Sequence, residues 1–316
     1  MIIRSRLRGL LLGAALVFAP PAAFAAEQAA PVAEIDLSPE QAGRVRAQVV
    51  PEAVALIPAD FRFVTPGKLT VASVPGHLPF AAYATDTKTS VGAEPDIAQL
   101  VADSLGLELE LVPVAWADWP LGVTSGKYDA VIHNVTVTEE RKDKFDFATY
   151  RQDLIGFYVA NDSKVLKIDG APDVAGLKVA VGSGTNQEQI LLRWIEENKA
   201  AGLPDAQVLY YDDPAVLDLA LLSGRIDAYL HPNAVQAFKA RREGKTRLVG
   251  VFSGGFPETA EIAVATRKGS GIAPAFAAAL NAQIASGNYL LALERWGLGA
   301  EAVTESRVNP PGLPRK

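Results

Sequence analysis

The chain has 316 residues, 49% of them hydrophobic, and a formal net charge of −6, which is a globular composition long enough for two domains. The acidic charge argues against nucleic acid as a partner. The absence of cysteine excludes disulfides, cysteine-based metal sites and thiol nucleophiles.

Residues 1–25 have the features of a secretory signal peptide. Three arginines form a basic start, an apolar run covers residues 10–19, and small residues surround Ala25. We therefore expect cleavage after Ala25 and a soluble, monomeric protein in the periplasm. The apolar run is too short for a membrane span, and no later stretch reaches the roughly 20 apolar residues that such a span needs.

The remaining chain contains two similar units. We interpret residues 26–67 as an N-terminal extension without assigned chemistry. The first unit then has a strand at 68–74, a helix at 94–107 and strands at 107–114 and 128–135. The second has a strand at 154–160, a strand, glycine turn and helix over 177–200, and further strands and helices to residue 253. Strands alternating with helices predict an α/β fold with largely parallel sheets.

The end of the chain predicts a return to the first unit. An apolar strand at 261–269 precedes two helices, near 272–287 and 289–298, which have no strands of their own to cover. We therefore predict lobe 1 over 68–158, lobe 2 over 159–263, and a return to lobe 1 with a tail over 264–316. The hinge crossings fall near 154–160 and 261–267. Because open α/β sheets bind ligands at the carboxyl ends of their strands, both lobes should present those ends to the cleft.

The segment NVTVTEER, residues 134–141, has an arginine in an unfavourable position. The pattern predicts a helix with Thr138 as N-cap, which places Arg141 in the first turn, where the helix dipole disfavours a cation by up to about 1 kcal/mol. An external anion would complete this site. A solvated surface arginine is the simpler explanation, and the residues alone leave both open.

The segment GSGTNQEQI, residues 182–190, predicts a strand end, a glycine turn and a helix that starts near Thr185. Helix N-termini bind anions, although a plain strand-to-helix turn is the commoner case. The segment lacks the third glycine of a dinucleotide fingerprint and the Gly-Lys-Thr of a P-loop, so we predict no nucleotide.

Three segments carry a family resemblance: GAEPDIAQLVADSLGLELELVPVAW, SGKYDAVIHNVTVTEERKDKFDFATY and GSGTNQE. They resemble family 3 of the bacterial extracellular solute-binding proteins, the amino-acid type that delivers ligands to ABC importers, over residues 68–298. The resemblance implies a two-lobed type II periplasmic-binding-protein fold, each lobe a mostly parallel sheet flanked by helices, joined by a two-strand hinge. It also implies an ABC permease as partner.

The resemblance further implies how a ligand is held. The Thr-x-Thr-x-x-Arg segment would bind the ligand's α-carboxylate through Thr136 and Arg141, and the second lobe would contribute Asn186 with Thr185 beside it. A guanidinium matches a carboxylate in two parallel hydrogen bonds. Trp116 matches a wall against the ligand side chain, and it fits a partly buried core residue equally well.

Other polar residues of the predicted cleft have less specific roles. Strand alternation places Asn134 on the side of Thr136, toward the ligand. The chain's three histidines also fall near the cleft, at His77, His133 and His231. Three imidazoles suggest zinc, but their spacing is unlike HxH or HExxH, so we predict polar ligand contact, no metal and no cofactor.

Two carboxylates of the family pattern are missing. Pro232 occupies the position of the acid for the ligand's α-amino group, which leaves His231 and Asn233 as the nearest polar groups. Val74 occupies the position of a second acid, found in members that bind basic side chains. Asp227 cannot substitute, because it belongs to the strand end away from the cleft. We therefore expect cationic amino acids to bind poorly.

These observations predict a binding protein, not an enzyme. It would capture a small carboxylate, either a neutral, polar or acidic amino acid or a related organic acid, by lobe closure and deliver it to an ABC permease. Two alternatives stay open. One is a periplasmic lyase similar to cyclohexadienyl or arogenate dehydratases, which would need a positioned acid or base that the sequence does not reveal. The other is a ligand sensor that acts through a membrane receptor.

Overall fold

The computed structural model describes residues 35–211 and 213–315, so the predicted signal peptide lies outside the described residues. In chain order the elements are α1 (Pro51–Val54), β1 (Lys68–Ser73), β2 (Ala82–Tyr83), β3 (Ser90–Val91), α2 (Ala93–Ser104), β4 (Glu108–Pro113), α3 (Trp119–Thr124), β5 (Ala130–Val131), β6 (Phe145–Gln152), β7 (Leu154–Ala160), β8 (Lys178–Ala180), α4 (Asn186–Ala200), β9 (Gln207–Leu209), α5 (Pro214–Leu222), β10 (Ala228–Pro232), α6 (Asn233–Glu243), β11 (Thr246–Ser253), β12 (Glu261–Arg267), α7 (Ala273–Ser286) and α8 (Asn288–Glu294).

Two five-stranded sheets organise these elements. The first sheet has the order β4-β1-β5-β12-β6, and the second has the order β11-β7-β10-β8-β9. Three neighbouring strands are parallel in each sheet, and one strand, β12 or β7, is antiparallel to both of its neighbours. The strands β2 and β3 form a separate hairpin-like pair. The predicted α/β class with mostly parallel sheets is confirmed.

The chain passes between the sheets at two adjacent places. It leaves the first sheet at Asp153, the one residue between β6 and β7, and returns through residues 254–260 between β11 and β12. The Asp153 N–H donates to the carbonyl of Ala260 at 3.0 Å, and the Gly254 N–H donates to the carbonyl of Asp153 at 2.8 Å. These passages directly precede the strands in which we predicted the crossings. The lobe boundaries themselves stay a prediction.

Each sheet has its own hydrophobic core. The first core contains side chains of α2, α7 and α8, including Ile97, Phe276 and Leu293, together with Leu69 and Val71 of β1. The two last helices therefore return to the first sheet, as predicted. The second core contains Trp194 of α4, whose ring stacks on Phe157 with a centroid distance of 5.7 Å. Among all the described residues, no helix has the length and apolar character needed to cross a membrane.

The segment that we interpreted as an extension packs on the first core. Its apolar residues contact that core: Ile35, Leu37, Val45, Ala47, Val50, Ile57, Phe61 and Phe63. Asp96 of α2 anchors the segment, because its buried carboxylate accepts from Arg44 Nε at 2.8 Å, Arg295 Nη1 at 2.6 Å and Trp296 Nε1 at 2.8 Å. One carboxylate thus joins residues before β1, the helix α2 and the residues after α8.

The chain after α8 is ordered along the first sheet. Asn309 N–H donates to the carbonyl of Phe147 in β6 at 3.0 Å. Farther along, Leu313 N–H donates to the carbonyl of Val137 at 3.0 Å, and Glu139 N–H donates to the carbonyl of Leu313 at 2.8 Å. The tail therefore adds backbone pairing to β6 and to residues 137–139.

Replacing Asp96 with asparagine should lower the free energy of unfolding by roughly 3 kcal/mol, because the two partly buried guanidinium groups of Arg44 and Arg295 lose the buried carboxylate that they share. Urea denaturation measures the change. Asp118→Asn is the matched control, since Asp118 is exposed, and it should stay within about 0.5 kcal/mol of wild type. An Asp96→Asn protein as stable as the control would show that this carboxylate does not anchor the segment.

Candidate functional site

The carboxyl ends of the two sheets face each other. His77 follows β1 of the first sheet and His231 belongs to β10 of the second, and their ring centroids are 6.2 Å apart. The Arg141 Nη2 group donates to the carbonyl of Gly184, at the start of α4, over 3.4 Å. These contacts show that the strand ends of both sheets lie close together, at the position of the predicted cleft.

The turn that carries Arg141 is shorter than we predicted. The structure has a three-residue 3₁₀ helix at Arg141–Asp143 in place of an α-helix, and β6 begins at Phe145. The predicted N-cap at Thr138 is wrong, because the N-cap of this short helix is Glu140, but Thr138 Oγ1 still accepts from the Arg141 N–H at 3.0 Å. A single turn has little macrodipole, so the argument from helix electrostatics does not apply here.

The Arg141 side chain is held between the two sheets. Its Nη1 group donates to the carbonyl of Thr136 at 2.9 Å, and its Nη2 group donates to Gly184 as above. The guanidinium carbon lies 5.8 Å from the ring centroid of half-buried Trp116, within the range of a cation–π contact. All of these partners are neutral, so they do not balance the charge of the guanidinium.

Burial lowers the pKa of the Arg141 guanidinium to about 10, and the nearby acids Asp153 and Glu140 oppose this shift. The side chain therefore stays charged at neutral pH. Among the described residues, neither Arg141 nor Asp153 takes part in a salt bridge. The cleft thus holds a cation without a direct counter-ion.

Two residues that we predicted to donate hydrogen bonds to a ligand carboxylate donate to a carboxylate of the protein. Thr136 Oγ1 donates to Asp153 Oδ2 at 2.9 Å, and Asn186 Nδ2 donates to the same oxygen at 2.8 Å. The second Asn186 N–H reaches the carbonyl of Gly254 at 2.5 Å. Burial raises the pKa of the Asp153 carboxyl, while Arg151, these hydrogen bonds and Arg141 oppose the rise. Sequence reasoning missed Asp153, whose only signal was an acid directly before a predicted crossing.

Thr185 is the N-cap of α4. Its Oγ1 accepts from the Glu188 N–H at 3.2 Å and donates to the carbonyl of Gly182 at 2.7 Å. This confirms the predicted helix start and follows the usual preference for threonine as N-cap. A ligand role for Thr185 stays a prediction.

Asn134 belongs to a buried ionic cluster, not to a regular strand. The predicted strand at 128–135 is reduced to β5, and Asn134 has a left-handed φ of 46°, which ends the alternation that we used to orient its side chain. Its Oδ1 accepts from Arg151 Nη2, and Arg151 also pairs with Glu94 and Glu301. The Tyr150 hydroxyl donates to Glu94. The amide oxygen of Asn134 is thereby occupied.

The three histidines come together at the centre of the cleft. The ring centroids of His77 and His133 are 6.4 Å apart, and Trp116 lies 6.5 Å from His133. Burial lowers the pKa of His133 and of His231 to about 3, and it also lowers the pKa of His77. The Nδ1 atoms of His133 and His231 are buried without a hydrogen-bond partner among the described residues. The cluster is therefore neutral and has free hydrogen-bonding capacity.

The end of β10 places the remaining predicted residues. Pro232 closes the strand opposite Ile155 of β7, and Asn233 begins α6 with its Oδ1 accepting from the Tyr158 hydroxyl at 2.9 Å. Asp227 precedes β10, where its Oδ2 accepts from the Lys178 N–H at 2.8 Å. It lies at the strand end away from the cleft, as predicted.

Two further features lie outside this arrangement. Within residues 35–211 and 213–315, no three His, Cys, Asp or Glu side chains are grouped so that they could hold a metal ion. A surface cavity of about 640 Å³ opens beside β4 and α3, and its lining includes Pro75, Tyr83 and Asp118. None of the ten predicted site residues lines it. Trp119, three residues after Trp116, is buried.

His133→Asn should make stability less dependent on pH. The pKa of His133 is about 3 in the folded protein against an ordinary value of 6.5, so the unfolded chain takes up the proton first as the pH falls through 6.5. Stability is therefore lost toward acid, by about 1.4 kcal/mol between pH ~7.5 and pH ~5.5 for this group. Urea denaturation of both proteins at the two pH values measures it. An equal loss in wild type and variant would contradict a buried neutral imidazole.

Comparison with known proteins places these observations in a family. Residues 69–299 match the bacterial extracellular solute-binding proteins, family 3. The chain is 36% identical to the L-cystine-binding protein TcyJ of Escherichia coli over 165 residues, which cover 52% of this chain and 58% of that protein. It is 28% identical to the arginine-binding protein ArgT of Corynebacterium glutamicum over 84% of each chain.

Two further similarities bear on fold and function. The structure is similar to an ancestral arginine-binding protein bound to arginine, with a TM-score of 0.61, 28% identity, and coverage of 73% of this chain and 98% of the other. A cyclohexadienyl dehydratase of Pseudomonas aeruginosa is 22% identical over 56% of this chain and 63% of its own. The family match covers most of the chain and agrees with the two-sheet architecture. The chain therefore belongs to family 3 of the bacterial extracellular solute-binding proteins.

Proposed function

We propose that the protein binds the α-carboxylate of an amino acid in the cleft and delivers the ligand to an ABC permease from the periplasm. The observation that carries this proposal is the Arg141 guanidinium, which lies between the loops of the two sheets and forms no salt bridge within the described chain. A partly desolvated cation without a counter-ion is unfavourable, so an anion entering the cleft would be bound strongly.

The surroundings of Arg141 support a carboxylate as that anion. The guanidinium presents a planar fork that matches the two oxygens of a carboxylate. The carbonyl of Gly184, which Arg141 reaches, lies beside the N-cap of the 15-residue helix α4, so a helix N-terminus lies on the same side of the cleft. A carboxylate that bridges both groups would hold the two sheets together, which supports closure on the ligand.

The relatives support the ligand class and the transport role. TcyJ is named for L-cystine and ArgT for arginine, and both are binding proteins. The choice among amino acids depends on the residues of this cleft. Its lining by neutral histidines and Trp116 supports a neutral or polar side chain, and arginine or lysine should bind poorly.

A lyase is the second candidate function, and one observation favours it. Asp153 is a buried carboxyl group next to Thr136 and Asn186, and it is the positioned acid or base that sequence reasoning did not find. The similarity to a cyclohexadienyl dehydratase points the same way. Incubation with prephenate and with arogenate, followed by chromatography, tests this function. Enzyme-dependent loss of either compound would support it, and unchanged compounds would remove it.

Arg141→Ala should weaken amino-acid binding by about 2–5 kcal/mol, because the ligand's carboxylate loses both hydrogen bonds of a largely desolvated pair. A thermal-shift screen of the twenty amino acids and L-cystine identifies the ligand, since ligand at about 100 times its Kd stabilises a protein by roughly 2.7 kcal/mol. Calorimetry on the best compound then measures the loss. Arg141→Lys should restore little of the lost affinity, since an ammonium cannot form two parallel hydrogen bonds with a carboxylate.

Lys144→Ala is the matched control, because Lys144 is an exposed cation three residues away. It should bind within about threefold of wild type. Arg141→Ala binding within the same range would contradict the carboxylate assignment.

A further inference from the structure

We infer that Asp153 accepts the α-ammonium group of the ligand, so that the cleft is built for a zwitterionic amino acid and discriminates against the same acid without its amino group. This inference rests on the proposed function, because it assigns the second charge of the same ligand. It also changes the expectation drawn from Pro232, since the missing acid of β10 would be replaced from the neighbouring chain passage.

The first observation is that Asp153 is a buried carboxylate with an unused oxygen. The residue is 1% exposed. Its Oδ2 accepts from Thr136 and Asn186, which are both neutral donors, while its Oδ1 has no hydrogen-bond partner among the described residues. A buried carboxylate is costly unless a cation or further donors compensate it. The free oxygen is therefore a position where an ammonium donor would be favourable.

The second observation is that the Arg141 guanidinium and the Asp153 carboxylate, which form no salt bridge, are both hydrogen-bonded to Thr136. The carbonyl of Thr136 accepts from Arg141, and the hydroxyl of Thr136 donates to Asp153. A guanidinium and a carboxylate are thus held next to each other without contact. An α-amino acid carries its carboxylate and its ammonium on one carbon atom, so its two charges match this arrangement.

The nearby cation Arg151 does not account for Asp153. Arg151 already pairs with Glu94 and Glu301, so that cluster has two acids for one guanidinium. Asp153 adds a third acid and increases the excess of negative charge around Arg151. A cation from the ligand would relieve that excess.

The strand register places Asp153 beside the position of the missing acid. Pro232, at the end of β10, pairs with Ile155 of β7, and Asp153 precedes Ile155 by two residues. Neighbouring strands are about 4.8 Å apart and residues advance by about 3.4 Å along a strand. Asp153 therefore lies just beyond the end of β10, one strand away from Pro232. Our inference therefore gives the Asp153 carboxylate the role of the acid that Pro232 replaces.

Asp153→Asn tests the inference with little change in shape, because an asparagine oxygen can still accept from Thr136 and Asn186. Calorimetry compares pairs that differ only in the α-amino group: L-alanine and propionate, L-leucine and isocaproate, L-phenylalanine and hydrocinnamate, L-glutamine and glutaramate, L-cystine and dithiodipropionate. For any pair that binds, the affinity of wild type for the amino acid should be at least about tenfold higher than its affinity for the deaminated compound. In Asp153→Asn the amino acid should weaken by about 30-fold or more, and its deaminated partner by less than about threefold.

The outcomes separate this inference from the proposed function. Arg141→Ala should weaken the binding of both members of a pair. If this variant binds both members as tightly as wild type does, the carboxylate site is refuted. Equal effects of Asp153→Asn on both members, or no effect, would overturn the ammonium role of Asp153. Wild-type binding supplies a test that needs no variant, since similar affinities for an amino acid and its deaminated partner would also overturn it. Asp118→Asn, an exposed acid, controls for the change in net charge.

Discussion

The buried guanidinium of Arg151 is the interaction on which the first half of the cleft depends. It contacts Glu94 at the start of α2, Glu301 after α8, and Asn134 after β5, and its guanidinium carbon lies 4.5 Å from the ring centroid of Phe80. Burial alone would lower the pKa of Arg151, but Glu301 and Glu94 outweigh that effect and raise it. Removing one partner of such a pair costs about 3–5 kcal/mol, since the remaining charge stays buried.

This cluster also shapes the loop that carries the cleft residues. Asn134 adopts its left-handed backbone while its N–H and its amide oxygen are held by Glu94 and Arg151. The turn separates His133, which faces the histidine cluster, from Thr136, which holds Arg141 and Asp153. A charge network that looks structural thus fixes the relative positions of the groups that we assign to the ligand.

Much of the fold followed from periodicity, and the exceptions have physical causes. The alternation of apolar residues located most strands and helices because those elements bury one face or both. The strand β6 escaped prediction, since Arg151, Asp146 and Gln152 interrupt its apolar pattern and Arg151 is buried through ion pairs. The packing of residues 35–67 was equally hidden, because it depends on Asp96 accepting from donors that are distant in sequence.

The local geometry of the proposed site residues was predictable where one segment contains them. Arg141 and Thr136 share such a segment, and the start of α4 at Thr185 follows from its cap. Asp153 depends on two chain passages that meet only in the folded protein, so no local pattern indicated it. The three histidines show a further consequence. Because the sequence contains no others, every imidazole resonance in a nuclear magnetic resonance spectrum of the untagged protein arises from this cleft, which gives a built-in, background-free reporter of its protonation and occupancy.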